Sequence, residues 1–194
     1  FAMVADHVIQ GEVVFPGAGY LEAARAAFAV TVSVRSSVAL LRAIFFIKPL
    51  AISGDDGAQW VECVHHAQSG AFEVRSGDAS VSQLTHCTGE VQSTEAVQLP
   101  HPVSDSAARR GRCEVAASTS AQYSGYHAVG LEYGPAYRLL GQVWVHSGRA
   151  YASWHDNKES ATAVLRSLAR PYGVAMHPAE LDGALQLSTA LVPL

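Results

Sequence analysis

Three short stretches hold the residue types from which acid–base chemistry is built. The first is His7-Val-Ile-Gln-Gly11-Glu-Val-Val-Phe-Pro16, a histidine followed at fixed spacing by a glycine and a proline. The last, His177-Pro-Ala-Glu-Leu-Asp182-Gly-Ala-Leu-Gln186, sets a carboxyl group one helical turn before a glutamine. Between them stands Gly130-Leu-Glu-Tyr133-Gly134-Pro135. A histidine changes charge near neutral pH, so it can take up a proton and return it. A carboxylic acid in apolar surroundings keeps its proton and can donate it. Asp182 and Gln186 share a face if their segment is helical, and can then address one hydroxyl together. Gly11 has no side chain, so its N–H could come close to a carbonyl and polarise it. Each residue also has a plainer reading when taken alone. His7 reads as a core or surface histidine, Asp182 as a helix-surface carboxylate and Gln186 as an exposed helix position. Gly11 reads as a bulge or turn glycine and Tyr133 as a core tyrosine with a satisfied hydroxyl.

These stretches must be positioned by elements the pattern predicts. Residues 8–15 are rich in β-branched types and read as a strand. Pro16 and Gly17 then open a helix with Leu21, Ala24 and Phe28 on one stripe. Residues 38–52 are too uniformly apolar for a solvated face and read as a buried strand ending near Pro49. Strands at 58–67, 71–76 and 81–92 follow, separated by Ser-Gly turns. Residues 94–112, with two prolines and no period, read as a linker. Beyond it the order partly repeats, with a helix near 119–129, strands at 137–147 and 149–155, a short helical stretch near 158–168 and a helix from Pro178 toward Leu191. The class is α+β, in two units at 1–98 and 113–194 joined by a linker at 99–112. The second unit has few strands for so apolar a helix, so the chain is expected to be truncated at its C-terminus.

Composition narrows the function. Of 194 residues, 49% are apolar and 15% charged, which fits a packed domain rather than a disordered tail. The net charge of -4 leaves no basic surface for nucleic acid, the only basic run being Arg109-Arg110-Gly111-Arg112. No apolar stretch reaches the roughly 20 residues of a membrane span, and no signal peptide is expected. Cys63, Cys87 and Cys113 are odd in number and widely spaced, as in a cytoplasmic protein with reduced thiols. His65 and His66 point to opposite faces of a strand, and no HExxH or CxxC is present, so no metal is expected. His177, just before Pro178, reads as shaping the site rather than ionising in it.

Taken together, the three stretches resemble the HxxxGxxxxP, GYxYGP and HPxLLDxxxQ patterns of dehydratase domains in type I polyketide synthases and animal-type fatty-acid synthases. Order and spacing are kept from His7 to Gln186, nearly the whole chain. The resemblance implies a double hotdog, two helix-wrapped antiparallel sheets side by side with the active site between them. It also implies that His7 and Asp182 converge on the 2- and 3-positions of a 3-hydroxyacyl thioester, removing water to leave a 2,3-unsaturated thioester. Gly11, Pro16, Tyr133, Gly134 and Gln186 would support or bind the substrate. No cofactor would be bound directly, the substrate arriving on the phosphopantetheine arm of an acyl carrier protein. Neighbouring synthase domains would be partners, and the synthase would make the domain a homodimer. Two positions depart from the pattern: Leu131 stands where an aromatic residue is usual, and Gly183 where alanine is common.

Two other functions use the same residues. A relative of the same fold could shift a double bond or close a ring with the same histidine and aspartate. A non-catalytic module kept for dimerisation or carrier docking would have no need of either.

Overall fold

The computed structural model describes residues 4–32, 38–52, 59–77, 83–94, 111, 115–146, 148–154 and 177–191. The first unit wraps one helix, α1 (Gly17–Thr31), in an antiparallel sheet. That sheet is formed by β3 (Val38–Phe46), β4 (Val61–His65), β5 (Ala71–Ser76) and β6 (Leu84–Thr94), in the order β3-β6-β5-β4. Its core joins Tyr20, Ala24 and Phe28 of α1 to Leu50, Phe72, Val74, Cys87 and Val91. The buried stripe on α1 therefore starts at Tyr20, one residue before the expected Leu21, and keeps the i, i+4, i+8 spacing. Strand β5 alternates cleanly, with Phe72, Val74 and Ser76 inward. A fully buried side chain such as Phe72 contributes about 1.5–3 kcal/mol by leaving water.

Strand β3 is a correction. It is the edge of the sheet rather than a buried strand, and Leu40, Phe45, Phe46 and Ile47 are exposed. Ala39 and Leu41 pack inward, and so does Ile44, which breaks the period of two. The register shift between Arg42 and Phe45, with Ala43 at φ 47°, turns the alternation over. A one-residue bulge moves every later side chain to the other face, which turns Ile44 inward and Phe45 out to solvent.

The expected strand at 8–15 is likewise a hairpin, β1 (His7–Ile9) and β2 (Glu12–Val13). Gln10 at φ 52° and Gly11 at φ 80° make its two-residue turn, the geometry that matches the twist of paired strands.

The second half contributes β7 (Val115–Ala117), α2 (Thr119–Ala128), β8 (Leu131–Tyr133), a 3-10 turn (Pro135–Tyr137), β9 (Leu140–His146), β10 (Arg149–Trp154) and α3 (Pro178–Thr189). β7, β9 and β10 form an antiparallel sheet in the order β10-β9-β7. β8 instead pairs with β1, giving a sheet β2-β1-β8 that draws on both halves of the chain. α3 packs on α1, the 3-10 turn, β9 and β10. It turns Ala179, Asp182, Gly183 and Gln186 inward and leaves Leu185 and Leu191 exposed. The small Gly183 is explained here, since a Cβ would lie 2.6 Å from the Trp154 ring. Most of the linker expected at 99–112, and the helical stretch near 158–168, lie outside the described residues.

Candidate active site

The β1–β8 pairing brings the two halves of the site together. His7 sits directly opposite Tyr133 across this ladder. Its strand is fixed by Asp6, whose backbone oxygen accepts from the Gly134 N–H at 2.7 Å and whose carboxylate accepts from the Ala136 N–H at 2.7 Å. Gly134 has to be glycine for this contact, because a Cβ there would lie 2.5 Å from the Asp6 carboxyl carbon. Its place is therefore behind His7, as a support for the strand.

The tautomer of His7 follows from its partner. Nδ1 lies 2.7 Å from the carbonyl oxygen of Val14. A carbonyl only accepts, so Nδ1 carries the hydrogen and the neutral ring keeps its lone pair on Nε2. Nε2 faces Oδ1 of Asp182 at 4.0 Å, and both side chains are buried. That separation is too long for a hydrogen bond and leaves a gap between base and acid. Tyr133 and Tyr137 flank the imidazole, with ring centroids at 5.6 and 5.3 Å.

Asp182 is carried by α3, whose start is fixed by a capping box. His177 Nδ1 accepts from the Ala179 N–H at 3.1 Å, and the Glu180 carboxylate accepts from the His177 N–H at 3.3 Å. His177 thus has the shaping role expected of it, with Pro178 in the first turn. Burial raises the Asp182 carboxyl above its ordinary range, while Gln186, His7 and Tyr133 pull the other way. Desolvation wins because an ionised carboxylate loses its water there.

Gln186 lies one turn after Asp182. Its Nε2 donates to Asp182 Oδ2 at 2.8 Å and to the Tyr137 carbonyl at 3.1 Å. Its Oε1 accepts from the Tyr123 hydroxyl at 3.1 Å. The oxygen of Tyr123 is already taken as acceptor by the Leu140 N–H at 3.2 Å, so its single proton goes to Gln186. The amide is held in one orientation, and Asp182 Oδ1 is left facing His7. Burial, with the charge of Asp182 adding to it, drives the Tyr133 and Tyr137 hydroxyls up, and burial takes Tyr123 to about 12. All three remain protonated donors at neutral pH.

Gly11 is not brought to this gap. It lies exposed in the β1–β2 turn, at the end of β1 away from His7, and nothing stands within 4 Å of where a Cβ would be. Its φ of 80° is the reason for a glycine, which is the turn reading. Pro16 is buried and caps α1 by its backbone, without a side-chain cap bond. Sequence reasoning missed Asp6, Tyr123 and Tyr137. Only Tyr123 left a signal, by sharing a helical turn with Tyr126.

Comparison with known proteins agrees with this architecture. A family model described as polyketide synthase dehydratase domain matches residues 1–77, and one described as polyketide synthase dehydratase N-terminal domain matches 101–194. Polyketide synthase ThaG of Burkholderia thailandensis is 32% identical over 189 residues, covering 94% of this chain and 3% of that protein. Polyketide synthase PksN of Bacillus subtilis is 26% identical over 196 residues, covering 97% and 3%. The chain therefore spans a small part of large multidomain relatives. Among solved structures, the dehydratase domain from the CurF module of Curacin polyketide synthase superposes with TM-score 0.78 at 21% identity, covering 98% of this chain and 66% of that one. A trans-AT polyketide synthase dehydratase domain from Brevibacillus brevis gives TM-score 0.75 at 26% identity, covering 97% and 69%. The chain belongs to the polyketide synthase dehydratase domains and has their double-hotdog fold.

Proposed function

We propose that the chain removes water from a 3-hydroxyacyl thioester presented on the phosphopantetheine arm of an acyl carrier protein, leaving the 2,3-unsaturated thioester. The observation that carries this reading is the buried 4.0 Å gap between the lone pair of His7 Nε2 and Asp182 Oδ1. Elimination needs a base for the C2 proton and an acid for the poor hydroxide leaving group. His7 Nε2 takes the C2 proton, and that electron pair becomes the C2–C3 double bond. The C3–O bond breaks as Asp182, whose protonated form burial favours, gives its proton to the leaving oxygen. Water departs with His7 protonated and Asp182 ionised. Transfer of the proton from His7 to Asp182 across the gap restores both groups, so atoms and charge balance.

With Gly11 in an exposed turn, a different donor must polarise the thioester carbonyl. The first turn of α1, which has no side-chain cap and begins just after the Val14 carbonyl that holds His7, offers backbone N–H groups for that oxygen. Among the structural neighbours, CurK dehydratase variants with a histidine changed to phenylalanine and with an aspartate changed to asparagine are described as inactive. Those are the two residue types paired here.

The test is incubation with the N-acetylcysteamine thioester of 3-hydroxybutyrate, followed by mass spectrometry. Loss of one water by the chain, absent in His7→Ala, supports the reading. A shifted double bond with no loss of water, or conversion that survives His7→Ala, overturns it.

A further inference from the structure

A second feature lies on the outer side of the tyrosines that surround the acid–base gap. An open cleft of about 490 Å³ is lined by Thr119, Ser120, Tyr123, Ser124 and His127, all on α2, and by Arg138, just after the 3-10 turn. Thr119, Tyr123 and His127 repeat at i, i+4 and i+8, with Ser120 and Ser124 in the adjoining row, so the cleft runs along one face of the helix. Arg138 is pinned at one corner of its guanidinium, Nε donating to the Tyr133 carbonyl at 2.6 Å. Its Cζ lies 5.8 Å from the centre of the Tyr123 ring. With Nε tied, the planar head is held in place. Among the described residues no ion pair involves Arg138 and no carboxylate lines the cleft, so its two terminal NH2 groups have no anionic partner there.

The donor set selects its ligand. A guanidinium fork matches the oxygens of a phosphate. Three hydroxyls supply neutral donors around it, and His127 adds an imidazole N–H. An acyl chain has nothing to gain from such a surface.

We propose that this cleft binds the phosphate of the pantetheine arm that delivers the substrate, an assignment that rests on the dehydratase reading above. Connectivity favours the arm over a free anion. The Tyr123 ring walls the cleft while its hydroxyl donates to Gln186, the partner of Asp182. Tyr133, whose carbonyl pins Arg138, presents its ring to His7. One layer of aromatic side chains separates the phosphate cleft from the reacting groups. A phosphate anchored outside that layer leaves the neutral arm to extend toward the gap.

The test is calorimetric titration of the chain with 4′-phosphopantetheine, pantetheine and inorganic phosphate. Phosphopantetheine is expected to bind about tenfold tighter than pantetheine, the worth of a charge-assisted contact. Arg138→Gln should remove that preference and Arg138→Lys should restore part of it, with circular dichroism checking that each variant is folded. Equal affinity of the wild type for the two arms overturns the proposal, as does a preference that survives both Arg138→Gln and Arg138→Gln/His127→Ala. Inorganic phosphate binding as tightly as phosphopantetheine overturns the assignment to the arm. The titrations need no turnover, so the two readings can fail separately. A chain that dehydrates without a phosphate preference refutes the cleft alone. A chain that prefers phosphopantetheine but eliminates no water refutes the reaction alone.

Discussion

Replacing Tyr123 with Phe removes one oxygen and keeps the ring, which isolates the hydrogen bonds behind Asp182. The lost hydroxyl donates to Gln186 Oε1 and accepts from the Leu140 N–H. Gln186 and Leu140 are only 3% and 1% exposed, so water cannot take its place without opening the structure. Leaving two buried polar groups unpaired costs about 1–3 kcal/mol each, so the variant should lose roughly 2–4 kcal/mol of stability once partial relaxation is allowed. The catalytic effect follows from the amide. Without Tyr123, Oε1 loses its donor, which lowers the cost of flipping Gln186 against its Nε2 bond to the Tyr137 carbonyl so that Oε1 accepts the proton of Asp182. The acid is then occupied by its neighbour. Holding that proton in a neutral hydrogen bond is worth about 1 kcal/mol, or about a fivefold fall in kcat. KM should stay close to wild type, because the ring and the walls of the gap remain. The assay pairs urea unfolding with initial rates on 3-hydroxybutyryl-N-acetylcysteamine. A variant as stable and as fast as wild type would refute the claim that Tyr123 orients Gln186.

Further outcomes follow from the same geometry. Asp182→Asn should unfold later than wild type at pH 7. Burial raises the folded carboxyl, so the native state holds the proton more tightly than the unfolded chain does. Stability is therefore lost as pH rises from the unfolded value through the folded one, and an amide escapes that loss; urea midpoints that converge near pH 3 and separate at pH 7 would show it. Gly134→Ala should cost roughly 1–3 kcal/mol and lower kcat, since its methyl group would be driven against Asp6 and displace β1 with His7; a melting temperature and rate like wild type would contradict this. His177→Ala should cost about 1 kcal/mol by removing the cap of α3, measured by thermal melting. Gly183→Ala should fail to stabilise the wild type but gain up to about 1 kcal/mol in a Trp154→Ala background, where the ring that blocks its Cβ is gone.

How far the sequence foretold this molecule depends on the range of the interaction involved. The strands of the first sheet, the course of α1 and the starts of α2 and α3 were legible because local period and turn residues set them. The β1–β2 turn was hidden by the valines around Gln10-Gly11, and β3 misled because its apolar run does not reveal the bulge at Ala43. His7, Tyr133, Asp182 and Gln186 stood out through the resemblance to the dehydratase patterns, and the structure gathers them around one gap. Gly11 sits in the exposed β1–β2 turn, where its left-handed conformation accounts for the glycine. Asp6, Tyr137 and the orienting bond of Tyr123 were not legible, because each matters only through a partner distant in the chain. No period records that β1 will pair with β8.

The mechanism requires Asp182 to act as the acid toward the leaving hydroxyl, and turnover of Asp182→Asn measures that directly. Asparagine keeps the shape and can still accept from Gln186 Nε2, so the fold should persist under circular dichroism. What it lacks is an acidic proton. Water loss from 3-hydroxybutyryl-N-acetylcysteamine should fall by about 10²-fold or more, the usual worth of a positioned acid. Turnover of a folded Asp182→Asn at the wild-type rate would contradict the mechanism.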